Sequence, residues 1–167
     1  IFESMNSTGL DLSQADLIRN FVLMGLEPTE QTRLYEQYWL PMEQRFRSDQ
    51  GPLRFDRFVR HYLTVRMGRI PGLRSIYRQF KLFAQQGGGA WDVEVVVRDL
   101  ESVSKQFVAL ATATTGESSL DAQLRSFAEM EREVAFPLLL AMYQHLDDGV
   151  ISTTEFTEVV RLIESYL

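Results

Sequence analysis

Apolar residues recur three and four positions apart along nearly the whole chain, the spacing of helices that bury one face. Ser13 followed by Asp16 predicts a helix start, and Leu17, Ile18, Phe21, Val22 and Leu23 supply a short apolar run that ends near Gly25. Glu27-Pro28-Thr29 reads as a turn with Thr29 as N-cap. A second helix over 30–47 would turn Leu34, Tyr38 and Met42 inward, with Pro41 expected to kink or split it. Gly51-Pro52 breaks the chain, and 53–67 is amphipathic: Phe55, Phe58, Val59, Tyr62 and Leu63 share one face, while Arg54, Arg57, Arg60 and His61 fall on the other. After a break at 68–72, residues 73–86 repeat the pattern with Leu73, Ile76, Tyr77, Phe80 and Phe83 inward.

The second half reads the same way. Val93, Val96, Leu100, Val103, Phe107 and Leu110 form a packing seam within 91–113. The β-branched run Val93-Glu94-Val95-Val96-Val97 fits a strand by composition, but the seam continues for several turns beyond it, which predicts helix. A helix opening over 118–121 would bury Leu120, Leu124, Phe127 and Met130, then bend or restart near Pro137. Leu138, Leu139, Leu140, Met142 and Tyr143 leave little polar face and predict a buried central helix, with Gly149 as its stop. Ser152 with Glu155 is a capping box for a last helix whose inner face is Phe156, Val159, Val160, Ile163 and Tyr166. The expected fold is all-α, an irregular bundle of seven or eight helices. Gln85 to Gly89 is the hinge candidate. It would separate a basic subdomain (13–86) from an acidic one (91–167), with 87–90 as hinge and 1–12 as the remnant of an upstream domain.

Composition narrows the class. The chain has 167 residues, no Cys and two His, so disulfide scaffolds and Cys-ligated zinc are excluded and a His-rich metal site has nothing to stand on. No apolar run reaches the roughly 18–20 residues of a membrane span, and no basic-then-apolar leader opens the chain. The expectation is a soluble, cytoplasmic domain without membrane contact. Opening at Ile1-Phe2 and closing inside an amphipathic pattern at Tyr166-Leu167 reads as a piece of a longer protein.

The net charge of −6 hides an asymmetry. Between Arg45 and Lys81 ten cations meet only Asp49 and Asp56, a local balance of +8 against −14 for the rest. Two readings follow. The arginines salt-bridge to the acidic remainder of the same domain, or they face phosphates, for which the planar guanidinium is well shaped. Arg54, Arg57, Arg60 and His61 are the candidate DNA or phosphate contacts.

Other constellations fail. Asp147-Asp148-Gly149 through Glu155 imitates the end of a calcium loop, but its first and third ligand positions would be Gln144 and Leu146, and Leu has no oxygen to offer. Gly87-Gly88-Gly89 lacks the following Lys and Ser or Thr of a phosphate loop. No Ser/His/Asp triad follows from spacing, and His145 reads as a residue at a helix end.

The first twenty residues carry a resemblance. Ile1-Phe2-Glu3-Ser4-Met5-Asn6-Ser7-Thr8-Gly9-Leu10-Asp11-Leu12-Ser13, running into Ala15-Asp16-Leu17-Ile18-Arg19-Asn20, resembles the GmrSD family of modification-dependent (type IV) restriction enzymes and their phage-defence relatives. Phe2, Asn6 and Gly9 match a stretch near the end of that family's ParB/sulfiredoxin-like nucleotide-hydrolysing domain. Phe55-Asp56-Arg57-Phe58, Phe136-Pro137-Leu138-Leu139-Leu140 and Glu164-Ser165-Tyr166-Leu167 fit the helical region that follows it. The family's Asp-Gly-Gln-Gln-Arg motif and its His-Asn-His nuclease signature are absent from this chain.

The resemblance implies a non-catalytic helical module that couples a nucleotide-binding domain to a nuclease. Nucleoside triphosphate and divalent metal would be used by the parent, with no cofactor held in this piece. Its partners would be the flanking ParB-like and nuclease domains, and DNA if the basic segment faces phosphates. Phe2, Asn6 and Gly9 would belong to the parent's nucleotide site. The alternative is a structural or protein-interaction scaffold without nucleic-acid contact.

Overall fold

A computed structural model describes residues 13–46, 54–85, 92–128 and 133–166. Among them there is no strand, and the architecture is the expected all-α bundle, with eight helical segments. α1 spans Gln14–Leu23. α2 is continuous from Pro28 to Arg45, built from an α-helical part Pro28–Leu34, a π turn Tyr35–Trp39 and a second α-helical part Leu40–Arg45. α3 is Phe55–Met67, and α4 is Ile76–Gln85, entered through a 3-10 turn Leu73–Ser75. α5 (Val93–Thr112) is the longest, followed by α6 (Ser118–Ala128). α7 (Phe136–Asp147) follows a 3-10 turn Glu133–Ala135, and α8 is Thr153–Tyr166.

The helix ends follow local chemistry. Ser13 Oγ accepts from the Asp16 amide at 3.1 Å while Asp16 Oδ2 accepts from the Ser13 amide at 3.2 Å, a reciprocal capping box. Ser152 and Glu155 repeat it at the start of α8. Asp92 caps α5 through the Val95 amide. Gly149, at φ +69°, closes α7. The expected N-cap Thr29 is a correction: Glu27 occupies that place and Pro28 takes the first turn, where a missing N–H costs nothing.

Pro41 neither splits nor ends α2. The π turn lies just before it, and the Leu40 amide reaches back five residues to the Tyr35 carbonyl. The turn takes one extra residue, so the inward position after Leu34 moves from the expected Tyr38 to Trp39. Leu34, Trp39, Met42 and Phe46 are buried, and Tyr38 is only partly covered.

One contiguous core draws on both halves of the chain, from Ile18 and Val22 through Phe58 and Phe80 to Leu100, Phe107, Leu140 and Phe156. An aromatic cluster lies at the meeting of α2, α3, α5 and α7. Phe46 stacks on Phe58 at 5.1 Å, and Phe58 and Phe136 both lean on Phe107. α1 lies on α4, with Phe21 set edge-on to Tyr77 and Phe80 and the Tyr77 amide donating to Gln14 Oε1.

Three expected core residues are exposed instead. Leu73 belongs to the 3-10 turn rather than to α4, so it is off that helix's inner face. Leu138 and Tyr166 face outward on α7 and α8, beside Val134 and Leu162, where no further helix covers that side among the described residues. α7 is thus half-buried, resting on Leu139 and Leu140, and is not wrapped on all sides. The expected 87–90 hinge and the expected upstream remnant 1–12 lie outside the described residues.

Candidate functional site

The Arg54, Arg57, Arg60, His61 face does not form as a single open surface. Arg54 stands exposed at the N-cap of α3, and its guanidinium meets Asp56 at 3.2 Å. Asp56 Oδ1 also accepts from the Arg57 amide at 2.9 Å, and Arg57 is half-buried. Arg60 folds back along the helix, and its Nε donates to the Pro71 carbonyl at 3.0 Å.

His61 is the clear departure. It is only 6% exposed, with its ring packed against those of Phe107 on α5 and Phe136 on α7 at 5.9 and 5.6 Å. Periodicity placed it opposite Phe58, but α7 packs along that side of α3 and covers it. Burial pushes the imidazole down to about 4, and the charges of Arg60 and Arg57 add to this. At neutral pH the ring is neutral and cannot act as a phosphate-facing cation.

Several basic residues are paired with carboxylates of α5. Arg45 reaches Glu101 at 2.6 Å and Ser104 at 3.2 Å. Glu101 is buried and also pairs with Lys105 at 3.0 Å. Arg66 grips Asp99 with two nitrogens, at 2.6 and 3.1 Å, and its guanidinium lies 5.5 Å from the Tyr62 ring. Tyr62 donates to the same carboxylate at 2.7 Å. Burial and the Asp99 charge push that phenol far above its ordinary range, so it stays a donor and offers no base. Arg33 bridges Glu30 and Glu94, and its hydrogen bond holds the Glu94 carboxyl below the usual range. Between α1 and α2, Arg19 joins Asp16 to Glu43, which also accepts from Trp39 Nε1.

What remains is a different basic surface. From Arg57 to Trp91 the chain contains no Asp or Glu. Arg74, Arg78 and Lys81 follow one another at four- and three-residue steps, one stripe along the outer face of α4 and the turn before it. All three are exposed, and none has a carboxylate partner among the described residues. Lys81 rests 5.8 Å from the Phe21 ring. Arg69, in the loop before α4, bonds Gln79 at 3.1 Å. Sequence reasoning placed these residues in the basic segment without separating them from the paired ones. The acid-free run holds the paired Arg66 as well as these three, so charge counting along the sequence does not separate them.

Among the described residues no cluster of three metal-ligating side chains occurs, and no helix is long and apolar enough to cross a membrane. Phe2, Asn6 and Gly9, the family-motif positions, lie outside the described residues. No family model, curated protein or solved structure matches this chain.

Proposed function

We propose that this chain is the non-catalytic helical module of a GmrSD-like restriction or phage-defence protein of the cytoplasm, and that it meets DNA phosphates through Arg74, Arg78 and Lys81. The observation that carries the DNA contact is that stripe: three exposed cations without a carboxylate partner among the described residues. Like charges at these spacings repel, and a polyanion relieves the repulsion. The coupling role rests on α1. This helix continues the motif-bearing opening stretch and is tied to the basic helix by Gln14–Tyr77 and by Phe21 against Tyr77 and Phe80. A displacement of the residues before Ser13 would therefore be felt at α4. In this reading nucleotide, divalent metal and nuclease chemistry belong to the flanking domains, and Phe2, Asn6 and Gly9 serve the nucleotide only beside their own domain.

Duplex binding measured against salt tests the contact. Neutralising three phosphates gives a log–log slope of roughly −2.7. Arg74→Glu with Arg78→Glu should abolish binding, while Arg54→Glu should leave most of it. Absence of duplex binding at low salt would remove the DNA contact and leave a second reading, a scaffold without nucleic acid. That reading draws support from Arg45 on Glu101 and Arg66 on Asp99, where basic residues pair with carboxylates of the same chain.

A further inference from the structure

The loop between α3 and α4 holds two aliphatic side chains out of the fold. Ile70 is 63% and Leu73 is 48% exposed, while Pro71 between them is buried. The loop is fixed at several points. Gly68, at φ +66°, ends α3. The Pro71 carbonyl accepts from Arg60 Nε at 3.0 Å. The Gly72 carbonyl accepts from the Ser75 amide at 2.9 Å and from the Ser75 hydroxyl at 3.0 Å. Arg69 is tied to Gln79 of α4 at 3.1 Å. The two aliphatics are therefore presented by a braced loop.

Their surroundings are cationic. Arg69 precedes Ile70 and Arg74 follows Leu73; both are exposed, and neither meets a carboxylate among the described residues. Arg74 is also the first cation of the α4 stripe, and the exposed Leu82 follows Arg78 by one turn on that helix. One region thus offers cations and bare aliphatics together. An aliphatic side chain gains little from a phosphate, so the partner must present apolar as well as anionic surface. A duplex does both. Phosphates line its grooves, and the faces of its bases become apolar seats when a step is opened.

Resting on the stripe's contact with DNA, we infer that Ile70 and Leu73 act as a wedge that enters the minor groove and parts one base step, while Arg74 and the rest of the stripe hold the phosphates alongside. The preferred substrate is then a duplex that opens cheaply, at a pyrimidine–purine step such as TA, rather than a stiff A-tract. The phosphate contacts position the protein, and the wedge makes binding depend on how readily the duplex deforms.

The fluorescent base 2-aminopurine, placed at a central TA step, brightens when the step unstacks. Binding of the chain should raise that signal, and affinity for this duplex should exceed affinity for an A-tract of equal length roughly fivefold or more. Ile70→Ser with Leu73→Ser, both at exposed positions, should remove the rise and the preference. The salt dependence, which the cations set, should stay as it was, and an unchanged thermal midpoint shows that the fold is intact. Arg74→Glu with Arg78→Glu should abolish binding to either duplex. Binding that needs these cations but leaves the fluorescence flat and does not discriminate the duplexes would overturn the wedge and leave the phosphate contact standing. Absence of binding to either duplex removes both. Capture by phosphatidylglycerol vesicles that needs Ile70 and Leu73, with no fluorescence rise on DNA, would assign the aliphatic pair to a lipid surface and likewise overturn the wedge.

Discussion

α5 and α4 carry opposite charge and dispose of it in opposite ways. On α5, Glu94, Asp99 and Glu101 each receive an arginine from another helix: Arg33, Arg66 and Arg45. On the outer face of α4, Arg78 and Lys81, together with Arg74 just before it, receive no carboxylate among the described residues. Charge count alone would treat Arg45 and Arg78 alike, as members of one basic segment. Position separates them. Arg45 ends a helix that packs on α5, whereas Arg78 lies on the exposed side of α4. The charge on α5 is paired within the chain, and the charge on α4 remains available.

The comparison breaks first at the core beneath it. Phe107 joins the α2–α3 aromatics to α7, and Phe107→Ala should cost about 3–5 kcal/mol in a denaturant melt. Next comes acid. His61 has its folded pKa at about 4, below the ordinary 6.5, so the unfolded chain binds the proton more readily. Stability is therefore fully present above about pH 6.5 and falls as pH drops towards 4, by a total on the order of 3 kcal/mol. His61→Gln should flatten that acid limb. Glu101→Ala leaves Arg45 and Lys105 without their carboxylate and should cost roughly 1–3 kcal/mol. The smallest effect on stability sharpens the contrast. Replacing Arg74, Arg78 and Lys81 together by Glu should move the midpoint by no more than about 0.5 kcal/mol while removing duplex binding.

Elements governed by near neighbours were legible in the sequence. The Ser13–Asp16 and Ser152–Glu155 boxes, the apolar face of α3 and the helix over Val93-Glu94-Val95-Val96-Val97 depend on residues within a turn or two, and each is found. Features set by distant segments were not. His61 sits on the polar side of α3 by period, and only the packing of α7 makes that side an interior. Trp39 was passed over for Tyr38 because a regular period was assumed across a π turn. The division of the arginines could not be read at all, since Glu101 and Asp99 lie more than thirty residues from Arg45 and Arg66.

The π turn in α2 makes this helix sensitive to arithmetic rather than to chemistry. Glu36 and Gln37 are exposed, and a surface position of that kind ordinarily accepts almost any side chain. Their number is another matter. Inserting one more residue there would rotate everything beyond it by about 100° relative to Pro28–Leu34, turning Trp39 out of the core and taking Arg45 away from Glu101. Deleting one instead closes the turn into regular helix: the tryptophan then follows Leu34 by four positions and stays inward, but Pro41 loses the wide turn before it and its ring meets the carbonyl four residues back. An exposed pair that tolerates substitution is thus a place where the fold counts its residues.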